Sequence, residues 1–165
     1  MECDGRGIGR SEQIRCLSDK AEEEYLNSDG AGDSPAQVKE LIKLSRNFAK
    51  ACAGAAGNKL GHISTFETAK DMDILRSVLG ENKLNYLGKS YGTYLGAIYI
   101  SLYPQKVGRF VLDGAIDPNI PIREQNLNQA AAFEKSLDEY LKTYNQFSKA
   151  DIQKFIDIAN TNPIK

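Results

Sequence analysis

The sequence predicts an α/β fold in which a small parallel sheet is flanked by helices. Two short segments rich in large apolar side chains, residues 84–87 and 107–112, are typical of buried strands. Residues 92–103 lie between them, carry apolar side chains at helical spacing and end before Pro104. A strand, a helix and a second strand in this order predict a parallel crossover, so residues 84–112 form the centre of the predicted fold.

The first predicted strand runs into a Gly-x-Ser-x-Gly turn formed by Gly88, Ser90 and Gly92. Glycines at this spacing allow the chain to turn from a strand into a helix where a Cβ atom would meet neighbouring backbone. Such a nucleophile elbow raises the serine hydroxyl above the sheet, at the positive end of the next helix. Ser90 is therefore the candidate nucleophile, and an ordinary serine in a strand-to-helix turn is the alternative.

Two helices are predicted before the first strand. Ser34 and Pro35 form a helix start, and apolar spacing extends that helix to about residue 53. Ser64 and Glu67 form a second start, and the helix that follows ends at Gly80. The acidic stretch 20–33 ahead of them is predicted to be a surface loop or a frayed helix.

Two further helices are predicted at the C-terminal end, where they are expected to pair as a helical hairpin. The first helix has apolar residues at helical spacing on one face. The second begins at Ser148 and has a similar apolar face. The members of the first face are Phe133, Leu137, Tyr140, Leu141 and Tyr144. A membrane-surface helix is the rival interpretation, but the polar face lacks the basic excess that it requires.

Composition excludes several classes of function. The 165 residues are 41% hydrophobic and carry a formal net charge of −1, which disfavours nucleic-acid binding. No apolar run approaches the length of a membrane span. The glycine-rich start, residues 5–9, is not followed by the Gly-Lys-Ser/Thr of a phosphate-binding loop, so no nucleotide is expected.

Metal-ligating side chains are too scattered to predict a metal site. Glu67, Asp71 and Asp73 fall on or near the first turns of one predicted helix, where carboxylates suit the helix dipole and face solvent. Cys3, Cys16 and Cys52 do not have structural zinc spacing. Two of the three could pair in an oxidising compartment, and three free thiols are the equal alternative.

Four motifs in order resemble one family, the α/β-hydrolase serine aminopeptidases that are tripeptidyl aminopeptidase-like and related to prolyl aminopeptidases. They are an Asp-x-Arg-Gly-x-Gly-x-Ser segment at 4–11, a helix at 68–76, the elbow at 85–96 and a strand with its turn at 111–118. The resemblance implies a partial α/β-hydrolase core over residues 1–120 and the start of a helical cap or lid over 121–165.

The resemblance implies a serine hydrolase, derived from an exopeptidase that cleaves short peptides from protein N-termini. Ser90 would be the nucleophile and the backbone N–H of Tyr91 an oxyanion donor, with a peptide substrate and no cofactor or metal. The family also has cysteines at the positions of Cys16 and Cys52, so these two are expected to bridge and Cys3 to stay unpaired. Its members suggest a secreted or cell-envelope location, and the oligomeric state stays open.

The remaining catalytic groups of the family have no counterpart in these residues. Its His-Gly-Gly-Pro-Gly oxyanion loop precedes the segment at 4–11, and its catalytic aspartate and histidine follow the cap, so the chain is expected to be an internal piece that is nearly inactive alone. His62 precedes Ser90, the wrong chain order for the base. Asp113 is a weak candidate acid, because a strand-end aspartate that bonds loop amides is favoured. An esterase and a non-catalytic remnant are the alternatives.

Overall fold

The computed structural model describes residues 4–28, 32 and 34–161, and Cys3 lies outside them. The described chain forms, in order, α1 (Asp19–Leu26), α2 (Pro35–Ala56), α3 (Thr65–Val78), β1 (Leu84–Lys89), α4 (Tyr91–Leu102), β2 (Val107–Asp113), α5 (Ile122–Tyr144) and α6 (Lys149–Thr161). Short 3-10 helices follow α2 at Gly57–His62 and precede β2 at Pro104–Lys106. The chain divides into two compact units after Ala115.

The sheet consists of β1 and β2, which pair in parallel, and this confirms the predicted parallel crossover. The register shifts by one residue between Leu84 and Tyr86, so β2 carries one extra residue there. The side chain of Asn85 compensates, because its Oδ1 accepts the backbone N–H of Arg109 at 2.9 Å. Gly108 leaves the space for that amide, since a Cβ there would lie 2.7 Å from Asn85 Oδ1.

The core of the first unit lies where α4 packs on both strands and α3 packs on α4. Ala69 of α3 and Ile98 and Tyr99 of α4 are buried there. Phe110 of β2 packs against the Tyr99 ring with the centroids 5.7 Å apart. Helices therefore cover one face of the sheet, whereas Leu87 on the other face is 61% exposed.

A buried polar group joins α3 to α4. The Tyr99 hydroxyl donates to Asp73 Oδ1 at 2.9 Å, and Arg76 Nε donates to the same oxygen at 2.7 Å. The Arg76 hydrogen bond holds the pKa of Asp73 below its usual value. Burial, with the bond to Asp73, raises the pKa of Tyr99 to about 12. The carboxylate of Asp73 thus links the two helices, and its negative charge is paired with Arg76 of the same helix, α3.

Serine caps begin four of the described helices, and the one at α6 is Ser148, whose hydroxyl accepts the N–H of Asp151 at 3.2 Å. The hydroxyls of Ser34 and Ser64 accept the backbone N–H three residues on, at the starts of α2 and α3 predicted from these residues. Ser18 does the same for α1, at 3.4 Å from Ala21 N. The stretch predicted as a surface loop or frayed helix therefore begins as an eight-residue helix, Asp19–Leu26.

The second unit contains α5 and α6, and none of its described residues is buried. Lys149 at the start of α6 pairs with Glu134 at 2.9 Å and Asp138 at 2.7 Å on α5. Leu137 and Leu141 are half-buried, but Phe133, from the same predicted apolar face, is 66% exposed. Among the described helices of the chain, none has the length and apolar character to cross a membrane.

Candidate active site

Ser90 lies in a strained turn between β1 and α4. Its backbone has φ 50° and ψ −119°, a conformation that residues with a side chain rarely adopt. The hydroxyl is on an exposed residue at the N-terminal end of α4, the helix whose backbone N–H groups point toward it. This is the backbone geometry of a nucleophile elbow.

Three glycines make the turn possible by close approach. A Cβ on Gly88 would overlap the carbonyl of Gly92, and a Cβ on Gly92 would lie 3.2 Å from the Tyr86 hydroxyl. A Cβ on Gly96 would lie 2.9 Å from Cε1 of the Tyr86 ring. The ring of Tyr86 therefore occupies a slot that glycines leave open along the first turns of α4.

Hydrogen bonds from other elements fix the turn. The N–H of Ser90 donates to the carbonyl of Asp113, at the end of β2, at 3.0 Å. The carbonyl of Ser90 accepts both the N–H and the Oγ1 hydroxyl of Thr93, at 2.8 and 2.7 Å. The Tyr86 hydroxyl donates to the carbonyl of Gly92 at 2.8 Å. The N–H and the carbonyl of Ser90 are both hydrogen-bonded, to Asp113 and to Thr93. The surroundings therefore specify the strained conformation by more than one contact.

Tyr91, the residue after Ser90, is held through its side chain. Its hydroxyl lies 2.9 Å from Thr65 Oγ1 at the start of α3. Its ring stacks on that of Tyr94, with the centroids 6.2 Å apart. The backbone N–H of Tyr91 belongs to the first turn of α4, where N–H groups have no partner within the helix. It is thus free of helix hydrogen bonding and close to Ser90.

Asp113 and His62 do not complete a triad with Ser90. Asp113 ends β2, its side chain faces solvent and its backbone carbonyl receives the Ser90 N–H. His62 ends the 3-10 helix before α3 and is also exposed. In the described part of the chain, neither side chain hydrogen-bonds to Ser90. The hydroxyl of Ser90 therefore has no base beside it among these residues.

The glycine-rich loop ahead of α1 is clamped onto α3. Arg6 donates from Nε and Nη2 to the two carboxylate oxygens of Asp71, at 2.7 and 2.6 Å, and from Nη1 to the carbonyl of His62 at 3.0 Å. The bond to Asp71 raises the pKa of the Arg6 guanidinium above its usual value. Asp4 closes the loop, because its Oδ2 accepts the backbone N–H of Arg10 at 3.0 Å.

A groove of about 860 Å³ lies between that loop, α3 and β1. Its apolar lining comes from Met72 and Leu75 on α3, Leu84 and Leu87 on β1, and Leu95 on α4. A smaller cavity lies beside His62, under the loop. Ser90 lines neither of them, so both lie apart from the candidate nucleophile.

Cys16 and Cys52 form a disulfide with a Cα separation of 4.3 Å. It joins the segment before α1 to the last turns of α2. The described residues contain no cluster of three or more histidine, cysteine, aspartate or glutamate side chains that could hold a metal ion. The site consists of backbone groups, hydroxyls and aromatic rings.

Three residues around the turn were missed by the sequence analysis: Thr65, Tyr86 and Thr93. Tyr86 stands two residues before Gly88, on the same face of β1, and this alternation could have placed its ring against the glycines. Thr93 stands three residues after Ser90 at a helix start, where a hydroxyl can reach a preceding carbonyl. The partner of Thr65 lies 26 residues away, and no local pattern indicates it.

Comparisons with known proteins give one family and several curated relatives. A family model described as the α/β-hydrolase fold matches residues 3–155. A tripeptidyl aminopeptidase of Streptomyces lividans is 41% identical over 133 residues, which are 79% of this chain and 25% of that protein. Serine protease Hip1 of Mycobacterium tuberculosis is 39% identical over 140 residues, 83% of this chain and 27% of that protein.

A third relative, carboxylesterase B of Mycobacterium tuberculosis, is 38% identical over 139 residues, 83% of this chain and 27% of that protein. The chain therefore spans about a quarter of the length of the curated relatives that it matches. The relatives are named as peptidases and as an esterase, and both names describe hydrolases that act on carbonyl carbon.

Proposed function

This chain belongs to the α/β-hydrolase fold family, and we propose that it carries the nucleophile of a serine exopeptidase that releases short peptides from protein N-termini. The observation that carries the proposal is the conformation of Ser90, with φ 50° and ψ −119°, between a parallel strand and a helix. A serine held in this way is exposed to substrate and faces the N-terminal end of α4.

The proposed first step is attack by Ser90 Oγ on the carbonyl carbon of the scissile peptide bond. A C–O bond forms, the carbonyl π electrons move to its oxygen, and the hydroxyl proton passes to a general base. The backbone N–H of Tyr91 stabilises the negative oxygen, and the N-terminal end of α4 adds its dipole. This chain thus supplies the nucleophile and one of the oxyanion donors.

We assign the base, the acid and the second oxyanion donor to groups outside these 165 residues. His62 is the only histidine of the sequence, and it precedes Ser90. Its backbone carbonyl accepts a hydrogen bond from Arg6. Asp113 supports the turn through its backbone carbonyl, which favours a structural role for that residue. The isolated chain is accordingly proposed to be nearly inactive, because a serine hydroxyl without a base is a weak nucleophile.

The substrate class rests on the relatives. A tripeptidyl aminopeptidase and a serine protease match four-fifths of the chain at about 40% identity. From the family resemblance, we propose that residues 121–165, which contain α5 and α6, are the start of a helical cap. The exposed aromatic side chains of these helices suit a surface that contacts further protein.

An esterase is the second candidate. It is favoured by the relative named carboxylesterase B, which is 38% identical over 139 residues. The elbow does not distinguish an amide from an ester, because both are attacked at the same carbonyl carbon. The two candidates share the nucleophile and differ in the leaving group.

A hybrid enzyme tests the proposal. In it, this chain replaces the stretch that it matches in the Streptomyces lividans tripeptidyl aminopeptidase, and the host supplies the remaining catalytic groups. The hybrid is expected to release tripeptides from a fluorogenic peptide substrate faster than it hydrolyses a matched ester, and Ser90→Ala should lower its kcat by at least about 1,000-fold.

The matched control is Ser101→Ala, which makes the same change at an exposed serine near the C-terminal end of α4, the helix that Ser90 precedes. It should leave kcat within about twofold of the parent hybrid, as expected for a surface substitution. A Ser90→Ala hybrid that keeps the parent activity would refute the proposed nucleophile. A hybrid that prefers the ester would replace the peptidase by the esterase.

A further inference from the structure

We propose that Thr93 is a positioning residue for the reaction at Ser90, because its hydroxyl fixes the peptide group that contains the Tyr91 N–H. This role rests on the proposed function, in which that N–H stabilises the oxyanion. Thr93 touches neither the substrate nor the reacting atoms. It acts through the orientation of the Ser90–Tyr91 peptide plane.

The carbonyl of Ser90 and the N–H of Tyr91 belong to the same peptide unit. A trans peptide is planar, and its C=O and N–H point in opposite directions. A hydrogen bond that fixes the direction of the Ser90 carbonyl therefore also fixes the direction of the Tyr91 N–H. The Ser90 carbonyl oxygen accepts the N–H of Thr93 at 2.8 Å and its Oγ1 hydroxyl at 2.7 Å. Two donors from one residue hold the plane, and the N–H of Tyr91 points away from them.

The hydroxyl of Thr93 is itself held rigidly. Thr93 is 1% exposed, and its branched Cβ restricts the side chain to few rotamers. Its Oγ1 also lies 3.4 Å from the carbonyl of Gly114, just beyond β2. The N–H of Ser90 donates to the backbone carbonyl of Asp113, the last residue of β2, at 3.0 Å. The Ser90–Tyr91 peptide plane is thus fixed in position relative to the end of β2. Stabilisation of an oxyanion requires donors that are fixed in this way before the reaction.

Other threonines of the chain show what an ordinary helix hydrogen bond looks like. Thr143 donates to the carbonyl of Glu139 four residues earlier, within α5, at 2.9 Å, and Thr68 donates at 3.0 Å to the carbonyl of Ser64, the N-cap of α3, also four residues earlier. Thr93 instead reaches back three residues, to the carbonyl of the strained residue that precedes α4. Removal of the Thr93 hydroxyl leaves that carbonyl with one donor, whereas removal of the Thr143 hydroxyl leaves a regular helix.

The first test is made on the 165-residue chain by nuclear magnetic resonance. The ¹⁵N order parameter of the Tyr91 amide reports how firmly its N–H vector is fixed, with about 0.85 for rigid backbone and below about 0.6 for flexible backbone. Thr93→Val should lower it toward the flexible value, and Thr93→Ser, which keeps the hydroxyl, should restore it. Thr143→Val is the matched control and should leave it unchanged.

An order parameter of Tyr91 that is the same in Thr93→Val as in the parent chain would overturn the proposal. Should the valine variant fail to fold, Thr93→Ala takes its place, since it also removes the hydroxyl without adding volume. The amide spectrum of each variant identifies a folded chain.

The second test uses the hybrid enzyme. Thr93→Val should lower kcat about tenfold with KM unchanged, because a misaimed donor weakens the transition state more than the bound substrate. Thr93→Ser should recover most of that loss. If Ser90→Ala abolishes activity while Thr93→Val keeps full kcat, the positioning role is wrong and the proposed function stands. If Ser90→Ala keeps full activity, the proposed function fails, and the positioning role fails with it.

Discussion

The turn at Ser90 and the pair of helices α5 and α6 differ in how their residues are held. At the turn, hydrogen bonds from β1, α4 and β2 fix single backbone atoms, and the absence of a Cβ on the glycines decides whether the chain fits. In the second unit no described residue is buried, and exposed ion pairs such as that of Lys149 with Asp138 join the helices. The first arrangement determines one conformation, whereas the second leaves an apolar face for another surface.

This comparison indicates which part of the chain is specified closely enough to identify a function. A strained residue persists only if its surroundings specify it, so the concentration of specific contacts around Ser90 is itself informative. The exposed stripe on α5 carries no such specification, because an amphipathic face fits many partners.

The largest expected effect comes from the disulfide. Cys16 and Cys52 close a loop with a sequence separation of 36, and the chain-entropy relation gives about 4 kcal/mol for a loop of that size. Reduction should lower the free energy of unfolding of the first unit by about that amount, as measured by urea unfolding, and the amide signals of α5 and α6 should be lost at the same urea concentration as before. Equal losses in both units would contradict the separation between them.

A methyl group at Gly88 should have the next largest effect. Gly88→Ala places a Cβ into the Gly92 carbonyl and should lower the free energy of unfolding by about 3 kcal/mol. Gly54→Ala is the matched control, since Gly54 lies within α2 with no atom near its Cβ position. It should stabilise the chain by up to about 1 kcal/mol, as alanine does in a helix. Urea unfolding of both variants measures the difference, and equal effects would show that the elbow is not tight.

A change of pH should affect the polar group of Tyr99 and Asp73. The pKa of Tyr99 is raised from 10 to about 12, so folding favours the neutral phenol. This contribution to stability is fully present below pH 10 and is lost as the pH rises toward 12. Tyr99→Phe should flatten the alkaline fall in the urea midpoint. Tyr140→Phe, on the exposed face of α5, should leave that fall as it is, and the same slope in both variants would argue against the assignment.

The smallest effect is expected in the second unit. Lys149→Met removes the ion pairs with Glu134 and Asp138 but keeps the length of the side chain. Because these pairs are exposed and screened by salt, the urea midpoint should fall slightly at low ionic strength and be unchanged in about 1 M NaCl. A large loss that persists in salt would mean that α5 and α6 are specified as tightly as the turn.

The same difference explains what the sequence could predict. Gly88, Ser90 and Gly92 indicate the turn because their spacing is local, and the two apolar segments indicate parallel strands. Asn85 was not predicted, because its hydrogen bond depends on the Arg109 amide that the register of β1 and β2 brings close. Thr93 has a local partner in the Ser90 carbonyl, but its approach to the Gly114 carbonyl depends on the position of β2. The sequence left α1 open between a surface loop and a frayed helix, because Ser18 caps a stretch of low hydrophobicity that has no apolar period to mark a helix. The side-chain partners of Tyr91 and Arg6 lie far away in sequence, and no local pattern predicts them.

Labelling with a fluorophosphonate probe tests most directly the claim that Ser90 is a nucleophile whose base lies outside these residues. The 165-residue chain should label no faster than its Ser90→Ala variant, because its hydroxyl has no base, whereas the hybrid enzyme should label rapidly at Ser90 and not in its Ser90→Ala form. Rapid, stoichiometric labelling of the 165-residue chain at Ser90, with release of N-terminal peptides from a fluorogenic substrate, would contradict the claim and direct the search for a base to His62.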